Sequence, residues 1–296
     1  TCEVSTKPAP EPDPPKPPGK LQPRVLPDHL SKAAKKVAPS LVQTKLFVPH
    51  LVKSVNAPTH YGVGLVVEAK KGLVVVDNDS VPRALGVIEL LFHSTVRAPG
   101  KVVFVHPQHN LVLISYDPSL VLGFGIVVFM IDRLRSLFGE ARTLVTVMYG
   151  GLVCLPTTVK KREPVFLSVG GERNYMRSYL EVLELRERVR NQGALVNAKG
   201  ELVAYFSKYP EKRFSSWRGT PAEAIARMLQ IYEAEDRGVM YRTLGLFITY
   251  DNFAEARRRD VPDDWSNRLD VAAPGRRRVM FVRGFFPDAP AAKALE

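Results

Sequence analysis

Between Ser40 and Tyr209 the apolar residues fall in short runs rather than in helical stripes. The runs are Leu41–Val48, Gly62–Val67, Leu73–Val76, Val87–Phe92, Gly100–Val105, Val112–Tyr116, Thr143–Tyr149, Leu152–Leu155, Phe166–Val169, Leu180–Glu184, Ala194–Val196 and Leu202–Phe206. Most are rich in Val, Ile, Leu or aromatic residues and are bounded by Gly, Pro, Asn or Asp, which predicts strands. Helical stretches between them are missing, so the pattern points to a mainly β protein. A sandwich or a pair of six-stranded barrels suits it better than a parallel sheet. Asn197-Ala198-Lys199-Gly200 reads as a tight turn between the last two strands.

The ends of the chain read differently. Residues 1–30 are dominated by Pro, Lys, Glu and Asp, a composition that buries too little apolar surface to offset the entropy of ordering. A Pro-rich linker is therefore predicted over 1–38, and with it a further domain upstream. Beyond the strand-rich region, Pro221 to Tyr232 reads as a helix. Thr220 is placed to cap it, Pro221 takes the first helical position, and Glu223 takes the capping-box place. Its apolar stripe is Ala224, Ile225, Met228, Leu229 and Tyr232. Then follow a predicted strand over Leu244–Tyr250, a short helix over Phe253–Arg259, a strand over Arg278–Val282 and the start of a helix at Pro290. The expected division is 1–38 linker, 39–214 strand-rich domain, 215–239 helical connector and 240–296 a smaller α+β unit.

Composition narrows the function classes. The chain has 296 residues, 45% of them hydrophobic, enough for a substantial core. No run of about 18 apolar residues exists, so no membrane partner is expected. Residue 1 is Thr and no basic-then-apolar leader follows, so no signal peptide is expected. Two cysteines, Cys2 and Cys154, make no disulfide framework and fit a reducing compartment, nuclear or cytoplasmic. The net charge of +12 is compatible with nucleic acid. However, the basic runs Lys160-Lys161-Arg162, Arg257-Arg258-Arg259 and Arg276-Arg277-Arg278 lack interleaved stacking aromatics and read as solvated faces. His106 and His109 are three apart, but Pro107 opposes a helical pairing and no Cys pair or carboxylate cluster accompanies them. Neither a metal nor a cofactor is expected.

Three segments carry the candidate chemistry. They are Gly72 to Pro82 (GLVVVDNDSVP), His106 to Ile114 (HPQHNLVLI) and Arg190 to Val196 (RNQGALV). Their order resembles the chymotrypsin-like domain of HtrA/Deg-type serine proteases. There the three segments run strand-Thr-Asn-x-His-Val-Val, His-Asp-Leu-Ala-Leu-Leu and Gly-Asn-Ser-Gly-Gly-Pro. Gly62-Val63-Gly64-Leu65-Val66-Val67 is similar to the Gly-Ser-Gly-Phe-Val-Val strand of that family, and Leu202-Val203-Ala204-Tyr205-Phe206 to the strand after the nucleophile loop. The resemblance places the general base at Asp79, the orienting acid at Asn110 and the nucleophile at Gln192, with Asn191 and Gly193 as remnants of the oxyanion loop. It thus implies a chymotrypsin-like double β-barrel with no catalytic residues. An amide is no useful nucleophile, and a carboxylate with a pKa near 4 is a poor base at neutral pH. Losing one triad member removes roughly four to six decades of rate.

Val81-Pro82-Arg83-Ala84-Leu85-Gly86, Tyr116-Asp117-Pro118 and Val261-Pro262-Asp263-Asp264-Trp265 are similar to the large nuclear branch of the family. That branch carries an active and a degenerate protease half with PDZ domains. Thr243-Leu244-Gly245-Leu246 resembles the PDZ loop whose backbone N–H groups hold a peptide carboxylate, a strand-addition mode of recognition. The expectation is a partial, C-terminally truncated PDZ-like unit over 240–296. The implied role is structural or regulatory, with other domains of the same protein, peptides or protein C-termini as partners, and a homo-oligomer at full length. Two alternatives stand beside it. In one, the chain is the inactive portion of an ATP-independent serine endopeptidase whose triad lies upstream. In the other, it is a basic nucleic-acid-binding module.

Overall fold

The computed structural model describes residues 26–49, 58–82, 85–106, 108–123, 125, 126, 128, 140–148, 151–168, 177–187, 189–210, 215–234, 244–272, 277–286 and 289–295. Six strands close into a barrel: β1 (Leu41–Phe47), β2 (Thr59–Glu68), β3 (Leu73–Val76), β4 (Val87–Phe92), β5 (Val96–Val105) and β6 (Val112–Ser115), in the order β1-β2-β3-β6-β5-β4. Every described pairing is antiparallel; β3, for example, sets Val75 opposite Leu65 on one side and Leu113 on the other.

Seven further strands form one sheet in the order β8-β7-β11-β12-β13-β10-β9. They are β7 (Arg142–Met148), β8 (Gly151–Thr157), β9 (Val159–Ser168), β10 (Arg177–Leu185), β11 (Gly193–Val196), β12 (Leu202–Pro210) and β13 (Ser215–Pro221). Leu144 of β7, second in that order, and Val159 of β9, at its far end, share one apolar core with Leu183, Leu195 and Phe206. The sheet therefore curls around a core of its own.

Strand alternation assigns side chains to different cores. Val74 and Val76 point into the first barrel, whereas Leu73 and Val75 face a seam between the barrels. The same split divides Val112 and Ile114 from Leu111 and Leu113, and Leu195 from Ala194 and Val196. Strands covered on both faces read as continuous apolar runs, which is why these segments show no polar alternation. Each fully buried Leu or Val contributes about 1.5–3 kcal/mol of transfer free energy, so the seam is a principal source of cohesion between the barrels.

Three expectations need correction. Residues 28–37, assigned to the linker, form helix α1 (Asp28–Val37), and Leu30, Ala33, Ala34 and Val37 are its buried face. That i, i+3, i+4, i+7 set is short and interleaved with lysines, so the low overall hydrophobicity of the segment concealed an amphipathic helix. Ala34 and Val37 close one side of the inter-barrel seam. Second, the stretch assigned to a helical connector begins with β13, whose residues pair with β12 from Ala204↔Pro221 to Pro210↔Ser215. Third, helix α2 (Ala222–Glu233) starts one residue later than the capping pattern predicts. Pro221 is its N-cap and makes no side-chain cap bond, and the Thr220 hydroxyl bonds the buried Tyr209 hydroxyl instead. Ala222, Ile225 and Met228 pack into the same seam. The remaining residues form β14 (Leu246–Asn252), α3 (Phe253–Arg257), α4 (Asp263–Ala272), β15 (Arg278–Phe285) and α5 (Pro290–Leu295), with β14 and β15 antiparallel. Helix α4 lies in a stretch for which the sequence reading assigned no element.

Candidate active site

The three candidate segments converge at the rim of the seam. β3 ends at Val76, and Asp77 to Ser80 form a turn in which the Asp77 carbonyl accepts from Val81 N–H at 3.2 Å. Asp77 Oδ1 accepts from Ser80 N–H at 2.9 Å. This turn points residues 77 and 80 inward, and both are buried. Asp79 is turned out beside Lys208, with Oδ2 and Nζ 4.0 Å apart.

Gln192 lies in the loop before β11 and reaches from the second sheet into the first barrel. Its Oε1 accepts from Val63 N–H at 2.9 Å. Its Nε2 donates to Asp77 Oδ2 at 2.6 Å and to Ser80 Oγ at 2.8 Å. The Ser80 hydroxyl in turn donates to the Asp77 carboxylate. Every hydrogen-bonding group of the Gln192 amide is engaged. Two glycines make the approach possible. A Cβ on Gly62 would lie 2.0 Å from Ser80 Oγ, and one on Gly193 would lie 2.2 Å from the Val145 carbonyl oxygen.

Asn110 closes a second link. Its loop is shaped by His106, whose N–H donates to the Leu111 carbonyl at 2.9 Å. His106 Nδ1 accepts from Gln108 N–H and His109 N–H at 3.1 and 2.9 Å. Asn110 Oδ1 accepts from Asn78 N–H at 3.2 Å, and Nδ2 donates to the Lys208 carbonyl at 3.1 Å. Tyr205 of β12 adds a third, donating from its hydroxyl to the Val63 carbonyl at 2.7 Å.

The placement of the base position is therefore corrected by one residue. Ser80, not Asp79, faces Gln192. Laid in register, the pattern Thr-Asn-x-His falls on Asp77-Asn78-Asp79-Ser80, so the signal was present in the spacing. Asn110 and Gln192 lie on either side of the inward turn. Asn191 sits in the half-buried loop beside Gln192, and Gly193 opens β11. The roles of Asp77 and Tyr205 were not read from sequence; the only signal was an Asp at the Thr of the family pattern.

Electrostatics follow burial. Desolvation pushes the Asp77 carboxyl up to about 6 against the bonds from Ser80 and Gln192, and Asp79 adds repulsion. Burial raises Asp79, while Lys208 and His60 draw it down. Burial, and then the neighbouring His109, lowers His106 to about 3; burial lowers His109 to about 4. Both imidazoles are neutral at pH 7. Ser80 is the hydroxyl at the centre, yet it is only 2% exposed and already accepts from Gln192. Among the described residues no group of three or more His, Cys, Asp or Glu side chains is arranged to hold a metal ion.

In the second unit, Leu244 is exposed and Gly245 has φ +70°. The Gly245 carbonyl accepts from Phe286 N–H at 2.8 Å, and a Cβ there would lie 2.5 Å from Ala289 Cβ. The Leu244–Leu246 turn thus sits at the open end of the β14–β15 pair; Thr243 lies outside the described residues.

The likeness to known proteins covers both parts. Protease Do-like 7 of Arabidopsis thaliana is 25% identical over 309 residues, covering 90% of this chain and 28% of that protein. Pro-apoptotic serine protease NMA111 of Debaryomyces hansenii is 35% identical over 118 residues, 38% of this chain and 12% of that protein. This chain is a homologue of the HtrA/Deg-type proteases. No family model matches it. The solved HtrA-type protease AlgW with decapeptide superposes with a TM-score of 0.57 at 14% identity, over 89% of this chain and 81% of that one. The Rv3671c protease from M. tuberculosis, in its active form, superposes at 0.53 and 12% identity, over 71% and 86%. The fold is accordingly mainly β and chymotrypsin-like, as expected. The chain spans about a quarter of the length of the plant relative.

Proposed function

We propose that this chain is a protease-fold domain without peptidase chemistry of its own, serving a structural or regulatory role in a longer protein. The observation that carries the reading is the Gln192 amide bonded to Val63, Asp77 and Ser80 where a nucleophile and base would meet. Acyl transfer requires a nucleophile beside a base of near-neutral pKa, held in its tautomer by a third group. At these positions stand an amide, a buried hydroxyl and Asn110. A serine-directed fluorophosphonate probe is expected to leave residues 1–296 unlabelled, and stoichiometric labelling at one residue would sink the reading.

A whole-protein reading extends it. Relatives named as proteases are about four times as long as this chain, so a serine endopeptidase activity of the full protein would depend on residues elsewhere. The same probe applied to the full-length protein is expected to label a serine outside these residues. The Leu244–Leu246 turn is the candidate contact for a peptide or protein C-terminus in such a protein, which would assemble as a homo-oligomer in nucleus or cytosol. The net charge of +12 is not read as a nucleic-acid site. Lys160, Lys161 and Arg162 pair with Glu184, Glu163 and Glu181. Arg257, Arg258 and Arg259 pair with Asp263, Glu255 and Asp251.

A further inference from the structure

We propose that Gln192 is a one-way latch between the two barrels, satisfied in a single orientation and only while residue 77 accepts and residue 192 donates. The argument is a chain of donors and acceptors with fixed ends. At one end stands the Val63 backbone N–H, which can only donate, 2.9 Å from Gln192 Oε1. At the other stands Asp77, whose two oxygens receive Ser80 N–H at 2.9 Å and Gln192 Nε2 at 2.6 Å. Flipping the Gln192 amide would set a donor against the Val63 N–H and an acceptor against a carboxylate. Above about pH 6 neither end can adapt, because one is main chain and the other is an ionised carboxylate. Ser80 obeys the same direction, accepting from Nε2 and donating to Asp77.

The latch spans the two units: residue 192 precedes β11 of the second sheet, while Val63, Asp77 and Ser80 belong to the first barrel. It closes the rim of the apolar seam, where Val63 and Tyr205 are themselves seam residues. The charged and titratable groups around Asp77 are Asp79, paired outward with Lys208, and the hydroxyls of Tyr205 and Tyr209. None of these offers a replacement donor path from Gln192 to Val63. The latch is independent of whether the full protein cleaves peptides, since it concerns cohesion and not probe reactivity.

The direction of the chain makes a reversal testable. Asp77→Asn alone places an amide donor against either Gln192 Nε2 or Ser80 N–H, whichever way the amide turns. Gln192→Glu alone replaces the Nε2 donor with a second carboxylate, and the single Ser80 hydroxyl proton between the two can serve only one of them. The double variant Asp77→Asn/Gln192→Glu restores every bond. The carboxylate introduced at position 192 accepts from Val63 N–H and from the new amide at position 77, and the Ser80 hydroxyl turns to donate to that carboxylate. We expect each single variant to lower the urea midpoint and to speed amide exchange at Val63 by roughly ten- to a hundredfold, as for an unsatisfied buried polar group. The double variant is expected to return to within about threefold of the parent. Should a single variant fail to accumulate as folded protein, recovery of folded double variant reads out the same rescue. Single variants indistinguishable from the parent, or a double variant no better than the sum of the singles, would overturn the latch.

Discussion

Two polar clusters among the described residues are built on opposite plans. One is the centre formed by buried Asp77 and Ser80 with half-buried Gln192. The other is the ion-pair ladder on the face of β9, β10 and β13. There Glu184 meets Lys160 at 2.9 Å, Lys161 at 3.1 Å and Arg218 at 2.8 Å, while Arg162 meets Glu181 at 2.7 Å. The centre holds one buried carboxylate and satisfies it with neutral donors. The ladder matches charge with charge on a surface reached by solvent. Burial makes the centre directional and intolerant, whereas solvent makes the ladder redundant and weak.

The difference is sharpest in pH. Asp77 has a folded-state pKa of about 6, raised from 3.8. Its contribution to stability is complete below about 3.8 and is lost as pH rises through 6, a change of about 3 kcal/mol. Glu184 runs the other way. Burial pushes its carboxyl up, but Lys160, Lys161 and Arg218 outweigh burial and hold it at about 2. Its contribution is present above 4.5 and is lost as pH falls through 2. Urea unfolding of the parent and of Asp77→Asn between about pH 4 and 7 is expected to show the parent losing stability relative to the variant as pH rises. Parallel curves would remove Asp77 as the titrating group.

Steric intolerance gives the next effect. Gly62→Ala drives a methyl to 2.0 Å from Ser80 Oγ, with an expected cost of about 1–3 kcal/mol in denaturant titration. A cost below about 0.5 kcal/mol would mean that β2 moves freely away from the turn. The ladder should respond least. Glu184→Gln is expected to cost about 1 kcal/mol or less at roughly 0.1 M salt, and still less at about 1 M salt, where the Debye length shrinks to about 3 Å. A salt-insensitive loss of several kcal/mol would show the ladder to be as desolvated as the centre.

Much of the fold was legible because its strands are short, β-branched and punctuated by Gly, Pro, Asn and Asp. β1, β3, β4 and β6 begin and end within a residue of the apolar runs that predict them. Misreadings arose where local composition and tertiary burial disagree. Helix α1 places four apolar residues among lysines and acquires its helical status from the seam. β13, with Ser215, Ser216, Trp217 and Arg218, carries little strand signal and is recruited by pairing with β12. At the site, the resemblance singles out Asn110 and Gln192, and the structure shows what their side chains bond. The base position falls on Asp79 rather than Ser80 only when the Thr-Asn-x-His pattern is laid one residue out of register on Asp77-Asn78-Asp79-Ser80.

By itself the sequence determined most strands of the first barrel, the order of the three motif segments and the residue types at their centres, since these depend on local propensity and spacing. It also determined that an amide, not a hydroxyl, stands at position 192. Only the tertiary structure decided what that amide does. Val63, Asp77 and Gln192 are as much as 129 residues apart. Whether a carboxylate and an amide so separated meet, and in which direction they bond, depends on how the two barrels pack across their apolar seam.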